Sequence, residues 1–445
     1  MKTLGKLVPL LAVVLVIGAF WASEVIVRPK EIKDRVRISY WEKWSDIEFE
    51  AIKRVVDEFN DSQDDIYVDL LPVSSIHQKT MLATSAGVPP DVAGLYSFNV
   101  AQYVHDNAII PLDEFCKDAG ITRDDYIAVY WDLGVFQGKI YALPTTPATN
   151  ALHYNKAMFR NAGLDADSPP KTIEELDEYS KALTKIGKNG SIVQSGFMHA
   201  EPGWWNWAWG YFFGGRLWDG ESQITCNEPE IVEAMRWVQK HAQQFGTGNL
   251  QNFKSGFGKF ASPQNAFMDE KVAMVLQGVW MSNFINTYNP DLEWDAVPFP
   301  HPASRPDLAN MTIAEADILV IPRGAKHPKE AFEFIKFVQS QHAMELLCLG
   351  QRKHSPLAEA SDEFYEQHPN PRIRLFTELA KGPNAVSVPK IAIWPEYQAE
   401  LQNAFDEVYI NGMDPQEAMD MVKRRVQPML DKYLRESKIR QEAQR

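Results

Sequence analysis

Along residues 36–70 the apolar positions change period twice. Val36, Ile38 and Tyr40 alternate with polar neighbours, Ile52, Val55, Val56 and Phe59 recur three and four apart, and Ile66, Val68 and Leu70 alternate again. Period two predicts strands and a period near 3.6 predicts a helix, so the chain opens β-α-β. Ser45-x-x-Glu48 stands at the start of the helical run and reads as a capping box. Such an opening predicts a parallel sheet covered by helices. The helical period returns in IEELDEYSKALTKI, boxed by Thr172 and Glu175, in AFEFIKFV after Pro328, and in PQEAMDMVKRRV, where Asp414 caps and Glu417 takes the third position. The chain is α/β throughout, without repeats or low-complexity stretches. Gly and Pro are too scattered to mark one linker between consecutive domains. The charged end YLRESKIRQEAQR reads as a frayed helix or tail.

The N-terminus breaks this pattern. Lys2 and Lys6 precede an apolar run over residues 7–22, the arrangement of an export signal. The run is shorter than the ~20 residues of a spanning helix. Phe20 and Trp21 stand where a cleavage site wants small residues, so residues 1–23 are expected to be an export signal or an uncleaved anchor. No cysteine follows closely enough to carry a lipid, the nearest being Cys116.

At 445 residues the chain has room for two or three domains, and 23% charged with 45% hydrophobic residues is a core-forming composition. Lys and Arg number 45 against 59 Asp and Glu, a formal charge of −14 that opposes a phosphate backbone and argues against nucleic acid as a partner. Cys116, Cys226 and Cys348 match no metal spacing and form no disulfide framework, so they are assigned to the core. The nucleotide-binding, zinc-protease and nucleophile-elbow motifs are all missing. His199 and Glu201 lack the P-C-x-x-C that would complete a zinc deaminase, and Asp165 and Asp167 precede a Ser-Pro-Pro break that spoils calcium-loop spacing. No catalytic residue, metal ligand or cofactor is therefore assigned. Two carboxylates from distant segments could still serve glycoside hydrolysis, which leaves a secreted hydrolase as an alternative.

The informative feature is aromatic. Among 13 Trp, residues 204–218 read WWNWAWGYFFGGRLW. On a helix, Trp205, Trp209 and Phe212 would pack inward while Trp204, Trp207 and Tyr211 project elsewhere. Trp41, Trp44, Trp131, Trp280 and Trp394 add rings near Gly, Pro or strand ends. Large rings fill large cores, yet a core built economically uses Leu and Val. Flat rings beside Asn, Asp and Glu suit sugars, whose apolar faces stack while their hydroxyls seek polar partners.

At this point the chain resembles a family, the extracellular solute-binding proteins of ABC importers, in the sugar-binding branch that includes maltose-binding protein. The resemblance rests on ISYWEKW, AGVPPDV, IIPLDEF, GKIYALP with NALHYNKAMFRNAGLD, PPKTIEEL, the Trp-rich segment before GG, AFMDEKVAMVLQGVWMSN, ADILVIPRGAKHPKEAFEFIKFV and INGMDPQEAMDMV, in that order. It implies a two-lobed periplasmic-binding-protein fold, each lobe a sheet flanked by helices and discontinuous in sequence. By position, the first lobe is expected at 36–150 plus 299–345 and the second at 151–298 plus 346–445.

The same resemblance implies a monomer that binds a mono- or oligosaccharide by hinge closure and delivers it to ABC permease subunits outside the cytoplasm. It places Trp41, Glu42, Lys43 and Trp44 in a ligand loop after the first strand, and Tyr96, Ser97 and Asn99 in a second. Pro144, Thr145 and Thr149 flank the first crossing, Trp204 and Trp205 form an aromatic platform, and Trp280 and Trp394 are further stacking positions. Ser97, Asn99 and Thr149 stand where the maltose-binding branch has acidic residues, so the sugar need not be maltose. A phosphorylated polyol is the alternative ligand, and a membrane-anchored sensor the alternative role.

Overall fold

The computed structural model describes residues 35–443. The segment 1–23, expected to be an export signal or anchor, lies outside them. The strands that organise the molecule are β1 (Val36–Glu42), β2 (Ile66–Pro72), β3 (Val92–Tyr96), β4 (Leu143–Asn155), β5 (Ile192–Phe197), β6 (Val272–Gly278), β7 (Trp294–Val297) and β8 (Thr312–Val320). The expected opening is present: β1 runs parallel to β2 and β3, and the helix Asp46–Ser62 between β1 and β2 buries Ile52, Val55, Val56 and Phe59 on one face. The Ser45–Glu48 capping box does not form. Ser45 Oγ instead donates to Asp46 Oδ2 at 2.9 Å, and Glu48 reaches the buried Lys353 ammonium at 3.1 Å. A buried cation gains more from a carboxylate than a solvated helix end does. The box at Thr172 and Glu175 does form, and Asp414 Oδ1 accepts from the Glu417 amide at 3.1 Å.

Two lobes share one sheet whose strand order is β2-β1-β3-β8-β4-β6-β5. The long strand β4 belongs to both. Its first half runs antiparallel to β8, with Leu143 opposite Leu319 and Thr149 opposite Ala314, and its second half pairs with β6 and β7. β8 crosses beside it, with Asp317 opposite Tyr96 of β3 at one end and Thr312 beside Ala385 at the other. These two strands form the expected crossing.

The first lobe's core gathers Ile38, Tyr40, Val55, Phe59, Phe334, Ile335 and Leu347. The helix Gln341–Gln351 packs along Asp46–Ser62, and a Cβ on Gly350 would stand 2.7 Å from that of Ala51. The division expected between residues 345 and 346 falls inside this helix. Phe299 packs on Phe212 with ring centroids 4.4 Å apart. Cys116, Cys226 and Cys348 are buried free thiols, and burial pushes those of Cys116 and Cys226 up to about 12.

The Trp-rich segment is not an α-helix. Residues 204–208 form turns and Trp209–Phe213 a 3-10 helix. Trp207 and Tyr211, which a helix would have turned away from Trp209 and Phe212, are buried together with them and with Phe213. Glycine is the reason: Cβ atoms on Gly210 and Gly215 would stand 2.2 Å and 2.5 Å from Ile231 Cδ1, and Gly214 takes φ +88, where side chains are strained. The segment is thereby held tightly against the helix Pro229–Phe245.

Candidate functional site

Where β1 ends, alternation turns the Glu42 side chain into the protein. Its carboxylate accepts from Tyr40 OH at 2.5 Å and occupies the space a Cβ on Gly94 would need. Lys43 then bridges two acids, its Nζ lying 3.2 Å from Glu42 Oε1 and 2.9 Å from Asp317 Oδ1. Asp317 also accepts from Thr146 Oγ1 at 3.0 Å and lies 3.4 Å from Lys353 Nζ. Burial alone pulls the Lys43 ammonium down, but Asp317 and Glu42 outweigh it and hold it above its usual value. Burial likewise works against the Asp317 carboxylate, and Lys43 with Lys353 hold it below the ordinary range. Trp44 lies within this network: Lys43 Nζ stands 4.7 Å and Lys353 Nζ 5.6 Å from its ring. Lys43 also stands 4.8 Å from the Tyr96 ring. Glu42, Lys43, Trp44 and Tyr96 are therefore brought together, with the charges of the first two satisfied inside the protein.

Ser97 and Thr149 enter separate polar clusters on the crossing strands. Ser97 Oγ donates to Glu315 Oε2, and Glu315 Oε1 accepts from the Val388 amide at 2.7 Å. Burial raises the Glu315 carboxyl to about 7. Thr149 Oγ1 pairs with Tyr130 OH and lies 2.9 Å from His354 Nε2. Burial lowers the His354 imidazole to about 3. Pro144, Thr145 and Asn99 are buried nearby in sequence, and Asn99 Oδ1 has no partner among the described residues.

The third group is aromatic. Trp205 and Trp280 stack with centroids 6.3 Å apart and planes 25° from parallel. Trp204, 45% exposed, meets Trp280 at 6.2 Å and packs edge-on to Phe260 at 4.4 Å. The Trp280 ring covers the backbone of Gly278, where a Cβ would lie 2.3 Å from it. Two expected positions lie elsewhere. Trp394 is wholly buried, edge-on to Trp207 at 5.1 Å and to Tyr397 at 5.7 Å. Helical position N1 before Pro395 turned its ring into the core rather than to a ligand face. Trp41, half-buried in β1, packs against the hydrophobic core.

Sequence reading missed Glu315, Asp317 and Lys353. The signal was present in TIAEADILV, a strand in which two acids two residues apart share one face between apolar residues. Acids so placed require buried partners. Among the described residues no cluster of His, Cys, Asp and Glu could hold a metal ion. His199 lies against Trp237 at 4.0 Å and His241 at 4.5 Å, and Asp165 Oδ1 caps the Asp167 amide at 2.9 Å in a turn.

The arrangement is one of satisfied charges at a two-strand crossing and partly open indole rings beside it. Comparison with known proteins gives the same frame. The model of the family described as bacterial extracellular solute-binding protein matches residues 43–345. The sn-glycerol-3-phosphate-binding periplasmic protein UgpB of Pectobacterium atrosepticum is 25% identical over 423 residues, covering 89% of this chain and 92% of that protein. The structure of CpMnBP1 with mannobiose bound superposes with a TM-score of 0.78 at 25% identity, over 88% of this chain and 99% of that one. UgpB from Mycobacterium tuberculosis in complex with glycerophosphocholine gives a TM-score of 0.73 at 20% identity, over 90% and 99%. The chain belongs to the bacterial extracellular solute-binding proteins.

Proposed function

We propose that this protein binds a carbohydrate between its lobes, closes on it about the β4–β8 crossing, and delivers it to an ABC permease. Hinge closure of this kind rotates two packed bodies about a few strand residues. The observation that carries the reading is the Trp204, Trp205 and Trp280 corner, because partly open indoles offer a flat apolar face to a pyranose. The charge at the crossing supports it: the two cations Lys43 and Lys353 face three acids, Glu42, Asp317 and Glu48, so no surplus positive charge is left there for an anionic ligand. Mannobiose in the structure of CpMnBP1 points to the same class. The polar ligand groups we assign are Glu42, Lys43, Tyr96, Ser97, Asn99, Thr145 and Thr149. Trp41 and Trp44 complete the wall of the first lobe, and Trp394 acts through its packing on Trp207 rather than by touching the ligand. The protein acts as a monomer without turning its ligand over, in the periplasm or another extracytoplasmic space, released or tethered through residues 1–23.

A second reading, a phosphorylated polyol, has one observation in its favour besides the glycerol-phosphate relatives. Arg352, next to Lys353, keeps a buried Nη1 without a hydrogen-bond partner among the described residues, and burial lowers its basicity. A phosphate would engage such a group bidentately. Intrinsic tryptophan fluorescence titrated with a saccharide panel, sn-glycerol 3-phosphate and glycerophosphocholine separates the two. A saturable response to a saccharide, recovered intact after long incubation, is expected. A response confined to phosphate esters and lost in Arg352→Gln establishes the second reading instead.

A further inference from the structure

Trp204 faces two ways. One side meets Trp280 and Phe260. The ring also lines a separate cavity of about 300 Å³, within the size of small-ligand pockets, formed with Asn206, Lys254, Gln402, Asp406 and Tyr409. Two polar atoms there have no partner among the described residues: Asn206 Oδ1 and Tyr409 OH, on residues 4% and 3% exposed. Buried polar atoms are nearly always hydrogen-bonded, and an exception in a cavity wall marks a place where another molecule's hydroxyl fits. The rim is close to neutral: Lys254 Nζ donates to the Ala200 carbonyl and its charge faces Asp406, whose carboxyl burial raises. Phe405, packed behind the cavity, adds an apolar wall.

We infer that this cavity is an outlying subsite that takes a further pyranose unit of an extended oligosaccharide, with Trp204 as the ring shared between it and the corner at Trp280. The inference rests on the carbohydrate reading and deepens it, since a site of this kind selects oligosaccharides over monosaccharides. Asn206 Oδ1 accepts from one sugar hydroxyl, Tyr409 OH exchanges a hydrogen bond with another, and Gln402 closes the rim. The cavity lies along the helix Trp394–Tyr409 at the end opposite Trp394 and is absent from the assigned ligand loops.

The test is calorimetric titration of the intact protein with malto-, cello- and manno-oligosaccharides of two to six units. Wild-type affinity is expected to rise about tenfold between the shortest and longest members of the series that binds. In Tyr409→Phe and in the rim variant Gln402→Ala that gain falls to about threefold or less, while affinity for the two-unit probe stays unchanged. Gln402 is half-buried on a helix surface, so its variant folds even if Tyr409→Phe does not. Binding without any dependence on length, or an equal loss at every length in both variants, overturns the subsite and leaves the carbohydrate reading standing. Absence of binding by every saccharide overturns both.

Discussion

The Val279 amide donates to the Thr149 carbonyl at 2.9 Å. That bond joins β4, which runs through both lobes, to the turn that carries Trp280. Thr149 also faces Ala314 of β8 and holds Tyr130 and His354 through its hydroxyl. The ring proposed to stack on the ligand is therefore anchored one residue from the crossing strand, and its position follows the hinge.

Gly278 is needed for that placement. Its φ is not in the left-handed region, so the demand is spatial: the Trp280 ring fills the place of a Cβ at 2.3 Å. Gly278→Ala is expected to displace the ring at a cost of about 1–3 kcal/mol in overpacking. The protein stays folded by circular dichroism while saccharide affinity falls. Unchanged affinity would mean that the ring position does not matter.

Removing Asp317 leaves Lys43 and Lys353 buried without the acid they share. Asp317→Asn is expected to destabilise the fold by about 3–5 kcal/mol, the range for breaking a buried ion pair on one side. The urea midpoint measures it. Asp317→Asn combined with Lys353→Met should recover part of the loss, because one of the stranded charges is gone; a strictly additive double variant contradicts the network.

Glu315 gives a pH signature. Its folded carboxyl sits at about 7 against an ordinary 4.5, so the native state keeps a proton the unfolded chain releases. The stability this contributes is complete below pH 4.5 and lost as pH rises through about 7. Glu315→Gln keeps the Val388 bond without titrating. The variant should match wild type near pH 4.5 and exceed it above pH 7 in urea midpoint. Parallel curves across that range count against a buried neutral acid.

The buried histidines act in the opposite direction. Burial lowers His153, His241 and His368 to about 4 and His354 to about 3, from an ordinary 6.5. Below pH 6.5 the unfolded chain takes up protons that the native state refuses, so stability falls as pH drops toward 4. Each group contributes a slope of up to about 1.4 kcal/mol per pH unit. Midpoints measured at pH 6.5, 5.5 and 4.5 should decrease in that order. The histidine variant His354→Gln should flatten the decline.

Where one period governed a segment, the sequence was legible. The alternation at Ile38 and Tyr40, the helix face at Ile52 to Phe59 and the Thr172–Glu175 box all depend on local chemistry and appear as read. The Trp-rich segment was not, because Gly210 and Gly215 meeting Ile231 is a tertiary demand that overrides helical spacing. The Ser45–Glu48 box failed for a similar reason: Lys353, some three hundred residues away in the chain, competes for the carboxylate. Of the candidate site, Glu42, Lys43, Trp44 and Tyr96 were proposed from motif position and lie together, while Glu315 and Asp317 were passed over as ordinary strand residues although their charge within an apolar run marked them.

The most direct test of the proposed function is isothermal calorimetry of the saccharide that wild type binds best, repeated on Trp280→Ala and Trp205→Ala. Stacking predicts a loss of about 2 kcal/mol or more in each variant, roughly thirtyfold in Kd, with the fold intact. Full affinity in both variants, or wild-type binding of phosphate esters in place of any saccharide, would contradict a sugar site built on these rings.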